Sequence, residues 1–405
     1  YIGIDVTGTN RLGNGGIGVW ITNAPANYIG STVGGGGNVI SGNTLGGIYL
    51  QSSLATGNQI LGNLIGTDFS GRKGIGNGLT YYGVTCDNAP GNQIGDSSTF
   101  ARNIISSNLS GIWLQGAGCS NNIIAGNYIG TDITGTNGMG NQKDGIVIGA
   151  TSGAATARNN VIGGTTPGTG NVISDNGRTA YRAGISVGVS YGTVIKGNLI
   201  GVAADGVTPL GNYGHNVEIY STNTVIGGYA SAEQNVIANA KDPLRAGIRF
   251  YSGFGNQILG NAIYSNGALG ISFSGTSPTP NDFGACDGDI GSNGKQNYPI
   301  LQSCVSDGLG ASVRGYLDSA ANKTYTLQFY ASPAGDASGY GEGKMFLGAV
   351  PFDLGGACSN SFALNLPAGA PAGWIVSATA TDPANNTSEF SQNVAVTGVP
   401  TLNIQ

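Results

Sequence analysis

Gly47-Ile-Tyr-Leu-Gln51, Asn58-Gln-Ile-Leu61 and Asn63-Leu-Ile-Gly66 are three short apolar bursts, each set off by Gly or Asn. The clearest of them alternate with a period of two, which is the mark of a strand rather than a helix. The third burst runs on into Thr67-Asp68 and is copied along the chain. Its counterparts are Tyr1-Ile-Gly-Ile-Asp5, Tyr128-Ile-Gly-Thr-Asp132 and Leu199-Ile-Gly201. The glycines Gly3, Gly66, Gly130 and Gly201 therefore lie 63, 64 and 71 residues apart. Each copy leads to a Gly-Asn pair: Gly13-Asn14, Gly76-Asn77, Gly140-Asn141 and Gly211-Asn212. A second repeated element interleaves with the first, in Asn27-Tyr-Ile-Gly30, Asn92-Gln-Ile-Gly95, Val161-Ile-Gly163 and Val225-Ile-Gly227. The true unit is thus about half of that spacing, with two loop types in alternation.

Three strands per unit with turns at Gly and Asn make a chain that coils. Gly supplies the positive φ of tight corners, and Asn tolerates it while bonding neighbouring backbone. The pattern predicts an all-β fold, a right-handed parallel β-helix with three strands per coil over residues 1–275. Counting leading strands from Gly18, Gly47, Gly83, Gly111, Gly145, Gly184, Asn216, Gly247 and Gly270 gives nine coils. Ile48, Val84, Ile112, Ile146 and Ile185 should stack inside at the strand spacing of ~4.8 Å, and the corner asparagines should stack as amide ladders. The repeat resembles that of the pectate-lyase-like superfamily of right-handed parallel β-helix proteins, and in particular of exported bacterial surface proteins. That resemblance implies the fold and an extracellular setting. It leaves activity open, because the superfamily holds lyases, hydrolases, epimerases, adhesins and tailspikes.

Composition narrows the partners. Gly makes up 74 of 405 residues and charged residues only 9%, while hydrophobic residues reach 40%, enough for a core. A net charge of −5 argues against nucleic acid. A single histidine, His215, rules out a His-rich metal site, and no apolar run approaches the ~18 residues of a membrane helix. Tyr1 opens in mid-repeat, as expected of a piece processed from a longer precursor. The five cysteines have no C-x-x-C spacing. One or two disulfides are expected, Cys304 with Cys358 being the preferred pair, against the alternative of buried thiols.

After Ser274 the repeat stops. Residues 276–298 form a linker or cap in which Asp282, Asp287, Asp289 and Asn293 gather oxygen atoms suited to Ca²⁺, the alternative being ordinary turn caps. Residues 299–395 read as strands, the clearest Ala311–Leu317, Thr324–Tyr330, Ser361–Leu366 and Trp374–Ala380, and predict a small Ig-like β-sandwich followed by a tail, 396–405.

Aligning the leading strands sends alternate side chains outward. The exposed pairs run Trp20 and Thr22, Tyr49 and Gln51, Thr85 and Asp87, Trp113 and Gln115, Val147 and Gly149, Ser186 and Gly188, Glu218 and Tyr220, Arg249 and Tyr251, and Ser272 and Ser274. Exposed Trp20, Tyr49 and Trp113 point to a saccharide groove unless a loop or subunit covers them. Lys143, Arg182, His215 and Arg245 stand just ahead of the same strands and, with Arg249, could hold the carboxylates or sulfates of an acidic polysaccharide. The expected function is polysaccharide binding and degradation, by a lyase or glycoside hydrolase. Candidate catalysts are the exposed acids Asp87, Asp144 and Glu218 together with Arg249. Sites of binding are expected at Trp20, Tyr49, Gln51, Trp113, Gln115, Lys143, Arg182, His215, Tyr220, Arg245 and Tyr251. Backbone sums set Asp87 and Asp144 too far apart for a catalytic pair and Asp144 and Glu218 about 14 Å apart, so neither pair fits the spacing of two hydrolytic carboxylates cleanly. The alternative is a non-catalytic rod, filament or adhesin subunit that self-associates.

Overall fold

A computed structural model describes residues 1–149, 157–179, 181–284 and 286–399. The repeat folds as expected, into a right-handed parallel β-helix of three long sheets. The leading sheet has nine strands, from Ile17–Thr22 to Ile271–Ser272. The second has eight, from Tyr28–Gly30 to Gln257–Leu259, and the third has eight, from Val39–Ile40 to Ala262–Tyr264. In the leading sheet Ile48 pairs with Val84, Val84 with Ile112, Ile112 with Ile146 and Ile146 with Ile185, all buried in one core.

Because every coil turns at the same places, polar corners must be satisfied inside a dry solenoid. Asparagine does this by bonding to its copy in the next coil. One ladder runs Asn14, Asn43, Asn77, Asn108, Asn141, Asn176 and Asn212. Another runs Asn38, Asn63, Asn103, Asn127, Asn171, Asn198, Asn235 and Asn261. A third links Asn27, Asn58 and Asn92. Glycine fits where the chain passes close to these ladders. Gly66, at φ +91°, has no room for a Cβ against the Ser106 carbonyl and the Asn108 amide. The repeated Asp5, Asp68 and Asp132 cap their own turns, Asp68 accepting from the Arg72 and Lys73 amides at 3.1 Å each.

The C-terminal part is a seven-stranded antiparallel sandwich with its own core. One layer is Ile300–Ser306, Ala311–Asp318 and Ser359–Leu366; the other is Met345–Asp353, Thr324–Ser332, Ile375–Thr381 and Val394–Gly398. The last strand also runs parallel to the first, an Ig-like order. It extends to Gly398, so residues 396–398 belong to the sandwich rather than to a tail; residues 400–405 lie outside the described part.

The sandwich and the segment leading to it close the end of the solenoid by supplying what a further coil would have supplied. Asn293 accepts from the Asn256 side chain, Gln328 from the Gly260 amide and Glu342 from the Asn266 side chain. Glu389 accepts from the amides of Phe273 and Thr279. The disulfide joins Cys286 to Cys358, with Cα atoms 4.9 Å apart, and not Cys304 to Cys358. Cys304 points inward from the first sandwich strand and is buried in the core, whereas Cys286 lies in the segment between the two folds. Cys86 and Cys119 are buried thiols in the solenoid.

Candidate active site

The register of the leading sheet places the outward row as expected: Trp20, Tyr49, Thr85, Trp113, Val147, Ser186, Glu218, Arg249 and Ser272 are successive partners. Their surroundings differ from the expectation in three respects.

The first concerns the aromatic groups. Trp20 is 60% exposed, but Tyr49 is buried, at 4%. Tyr49 lies between Trp20 and Tyr81, with ring centroids at 5.9 and 4.8 Å, and its hydroxyl donates to Asp87 at 2.6 Å. Trp113 is half-buried, stacked on Tyr82 at 5.0 Å and donating its indole N–H to the Gly149 carbonyl at 3.2 Å. The segment before the third leading strand thus folds Tyr81 and Tyr82 over the row. Gln51 and Gln115 flank Tyr49 and Asp87 at the strand ends, half-exposed. On later coils Tyr220 and Tyr251 stack at 4.5 Å with planes 2° apart.

The second concerns the acids. Asp87 keeps to Tyr49 and Asn88, away from the others. Asp144 and Glu218 are not exposed: they retain only 6% and 7% exposure. Asp144 lies at the corner before its strand and accepts the Ala183 amide at 3.0 Å. Burial raises its carboxyl to about 6, against the opposing charges of Arg182 and Lys143. Burial raises Glu218 to about 7, and the charge of Asp144 adds to the effect while Arg182 and Arg245 oppose it. The charges of Asp144 and Arg182 both act on Glu218, although the register keeps two strand spacings and three residues of backbone between the two acids, as the sequence alignment had it.

The third concerns the cations. Counted back two residues from the registered strands, Lys143, Arg182 and Arg245 form one row, with Gly214 between the last two. Arg182 is exposed and Lys143 half-buried. Neither forms an ion pair among the described residues, where Arg245 meets Asp242 only at 3.8 Å. Arg249 donates to the Ser272 hydroxyl at 2.7 Å and lies over the Tyr251 ring at 5.2 Å. His215 is no cation: it is buried, accepts the Ala246 amide at Nδ1 (2.9 Å), and burial beside Arg245 and Arg249 lowers it to about 3. It offers a neutral donor where a charge was expected.

Three buried side-chain polar atoms lack a hydrogen-bond partner among the described residues, and two of them are here: Ser110 Oγ and Arg245 Nε. They belong to coils four strands apart, Ser110 ahead of Ile112–Gln115 and Arg245 ahead of Ile248–Phe250, so they mark two separate points on the face. Ser110 lies beside Tyr82 and precedes its strand as Asp144 precedes the next. Tyr81, Tyr82 and Ser110 were not anticipated. Carrying the row of Lys143 and Asp144 back two coils would have reached all three.

At the cap, Asp282 accepts from the Asn297 side chain at 3.0 Å, and Asp287 accepts from the Asn297 amide and the Ser319 hydroxyl. Asp282 and Asp289 lie near enough that their charges help raise Asp287, after burial itself. Asn293 continues the asparagine stack from Asn256. No group of three His, Cys, Asp or Glu side chains among the described residues has the arrangement of a metal site, and both donors to Asp287 bond the same oxygen, Oδ2. No described helix is long and apolar enough to cross a membrane. No protein-family model matches the chain, and no curated protein matches it.

Proposed function

We propose that this protein is exported, binds an extended polysaccharide along its leading-sheet face, and hydrolyses it at the Asp144–Glu218 pair. The observation that carries the reading is the pair itself: two buried acids, both raised by burial and both subject to the charge of Arg182, which has no ion-pair partner among the described residues, on a face that also offers Trp113 and the Tyr220–Tyr251 stack. Glycosidic hydrolysis needs one carboxyl that keeps its proton near neutrality and one that has lost it. Glu218 and Asp144 are both raised by burial toward neutrality, the range in which one can hold its proton for the leaving oxygen while the other, ionised, activates water or attacks carbon. The charge of Arg182 acts on both acids and would steady the charge that passes between them.

Unlike the raised acids Glu342 and Glu389, which bond the end of the solenoid, Asp144 and Glu218 lie on the leading-sheet face, and that placement favours an enzyme over the structural alternative. The likeness to the pectate-lyase-like superfamily supports a glycan ligand, and the Cys286–Cys358 bond agrees with an oxidising compartment. Calcium at Asp282, Asp287 and Asp289 remains a proposal for the cap, separate from the catalytic face.

The test is release of reducing ends from a panel of plant and microbial polysaccharides. Glu218→Gln and Asp144→Asn should each lose at least about a hundredfold in rate while binding persists. Trp113→Ala should lose about tenfold in binding, some 1.4 kcal/mol. Equal turnover by the parent and both acid variants would refute the assignment. Binding without any cleavage by the parent would leave the adhesin.

A further inference from the structure

The face is chemically divided along its length. Two residues ahead of the registered strands, the early coils carry Leu45, Tyr81 and Leu109, and the later ones Lys143, Arg182 and Arg245. In the outward rows the first four coils present Trp20, Tyr49, Thr85 and Trp113, then Thr22, Gln51, Asp87 and Gln115. Those rows contain no Lys or Arg, and their only formal charge is the negative Asp87. From the fifth coil on, four cations line the face, and Lys143 and Arg182 have no ion-pair partner among the described residues.

Each coil advances ~4.8 Å, close to the length of one sugar in an extended chain, so each half of the face spans several sugars. A continuous polyuronate would lay its carboxylates beside Asp87 with no counter-charge on the first half. A wholly neutral polymer would leave Lys143 and Arg182 unmatched on the second. Resting on the function proposed above, we infer that the substrate is a polymer of mixed charge, in which an uncharged run of sugars adjoins a uronate-bearing one. The uncharged run packs on Trp20 and the Tyr82–Trp113 stack. The uronate faces Arg182 and Lys143, whose side chains bond carboxylates in charge-assisted fashion, and the scissile bond lies on the charged side with Asp144 and Glu218.

Three probes test this by affinity electrophoresis and calorimetry: glucuronoxylan, arabinoxylan free of uronate, and polygalacturonate. Glucuronoxylan should bind at least about tenfold tighter than either other polymer. Its binding should weaken with added salt in the parent and much less in Arg182→Gln, because exposed charges are screened. Trp20→Ala should weaken it by the same factor at every salt concentration. Polygalacturonate binding as tightly as glucuronoxylan, or arabinoxylan doing so without salt dependence, would overturn the inference and leave the glycan-binding function standing. Failure to bind any of the three or any wider polysaccharide panel would sink both together.

Discussion

Replacing Glu218 with Gln should make the protein more stable, and only above a definite pH. Glu218 is buried, and its carboxyl is raised from the ordinary 4.5 to about 7. The folded state therefore holds a proton that the unfolded chain has released. Stability must fall as pH rises from 4.5 to 7 and level off above, because the unfolded state binds fewer protons over that window. At about 1.4 kcal/mol per pH unit, the ionised Glu218 costs about 3 kcal/mol at pH 8. Gln keeps the shape of the protonated acid without that cost. Guanidinium unfolding at pH 4 and pH 8 provides the assay. Glu342 and Glu389 are also raised, to about 8 and about 7, so the variant must be compared with the parent at each pH, where their contributions cancel. Glu218→Gln should match the parent at pH 4 and exceed it by about 3 kcal/mol at pH 8. A variant no more stable than the parent at pH 8 would mean that Glu218 is comfortably solvated, and the catalytic reading would lose its physical ground.

Other outcomes can be checked on the same preparation. Asn108→Leu removes an acceptor of the Asn77 amide and side chain and a donor to the Ile65 and Ser106 carbonyls, and should cost about 3 kcal/mol in chemical unfolding. Reducing Cys286–Cys358, which spans 72 residues, should cost about 4 kcal/mol of stability by the loop-entropy relation, while thiol titration of the unfolded, unreduced chain should find Cys86, Cys119 and Cys304 reactive. If calcium binds Asp282, Asp287 and Asp289, EDTA should lower the melting temperature and calcium restore it; an unmoved transition leaves those residues as turn caps.

The solenoid was legible in the sequence because its determinant is repetition. A corner that needs Asn or Gly in one coil needs it in the next, so Asn63 and Asn127 announce the same geometry 64 residues apart. The outward row followed from that register, and every strand-to-strand pair from Trp20 to Ser272 falls where the alignment put it. Burial was not legible. Tyr49 and Trp113 alternate outward as expected, but the non-repeating Leu79–Tyr82 segment folds over them. Asp144 and Glu218 stand at positions that look exposed in a flat sheet, yet neighbouring coils and side chains close around them. The disulfide was misassigned for a related reason: Cys304 and Cys358 share a domain, but the partner of Cys358 comes from the irregular segment that no repeat describes.

The manner in which the sandwich meets the last coil has a consequence for engineering. Asn293, Gln328 and Glu342 imitate the next rungs of a structure that could otherwise continue without end, since each open parallel sheet edge is a template for another strand. The sandwich and the segment leading to it are thus a stopper keyed to the three corners of the coil. Shortening the protein by deleting whole coils should be tolerated so long as the coil left at the junction presents Asn at the positions of Asn256 and Asn266. Deleting the stopper instead would bare three edges at once and turn the solenoid into a seed for fibres.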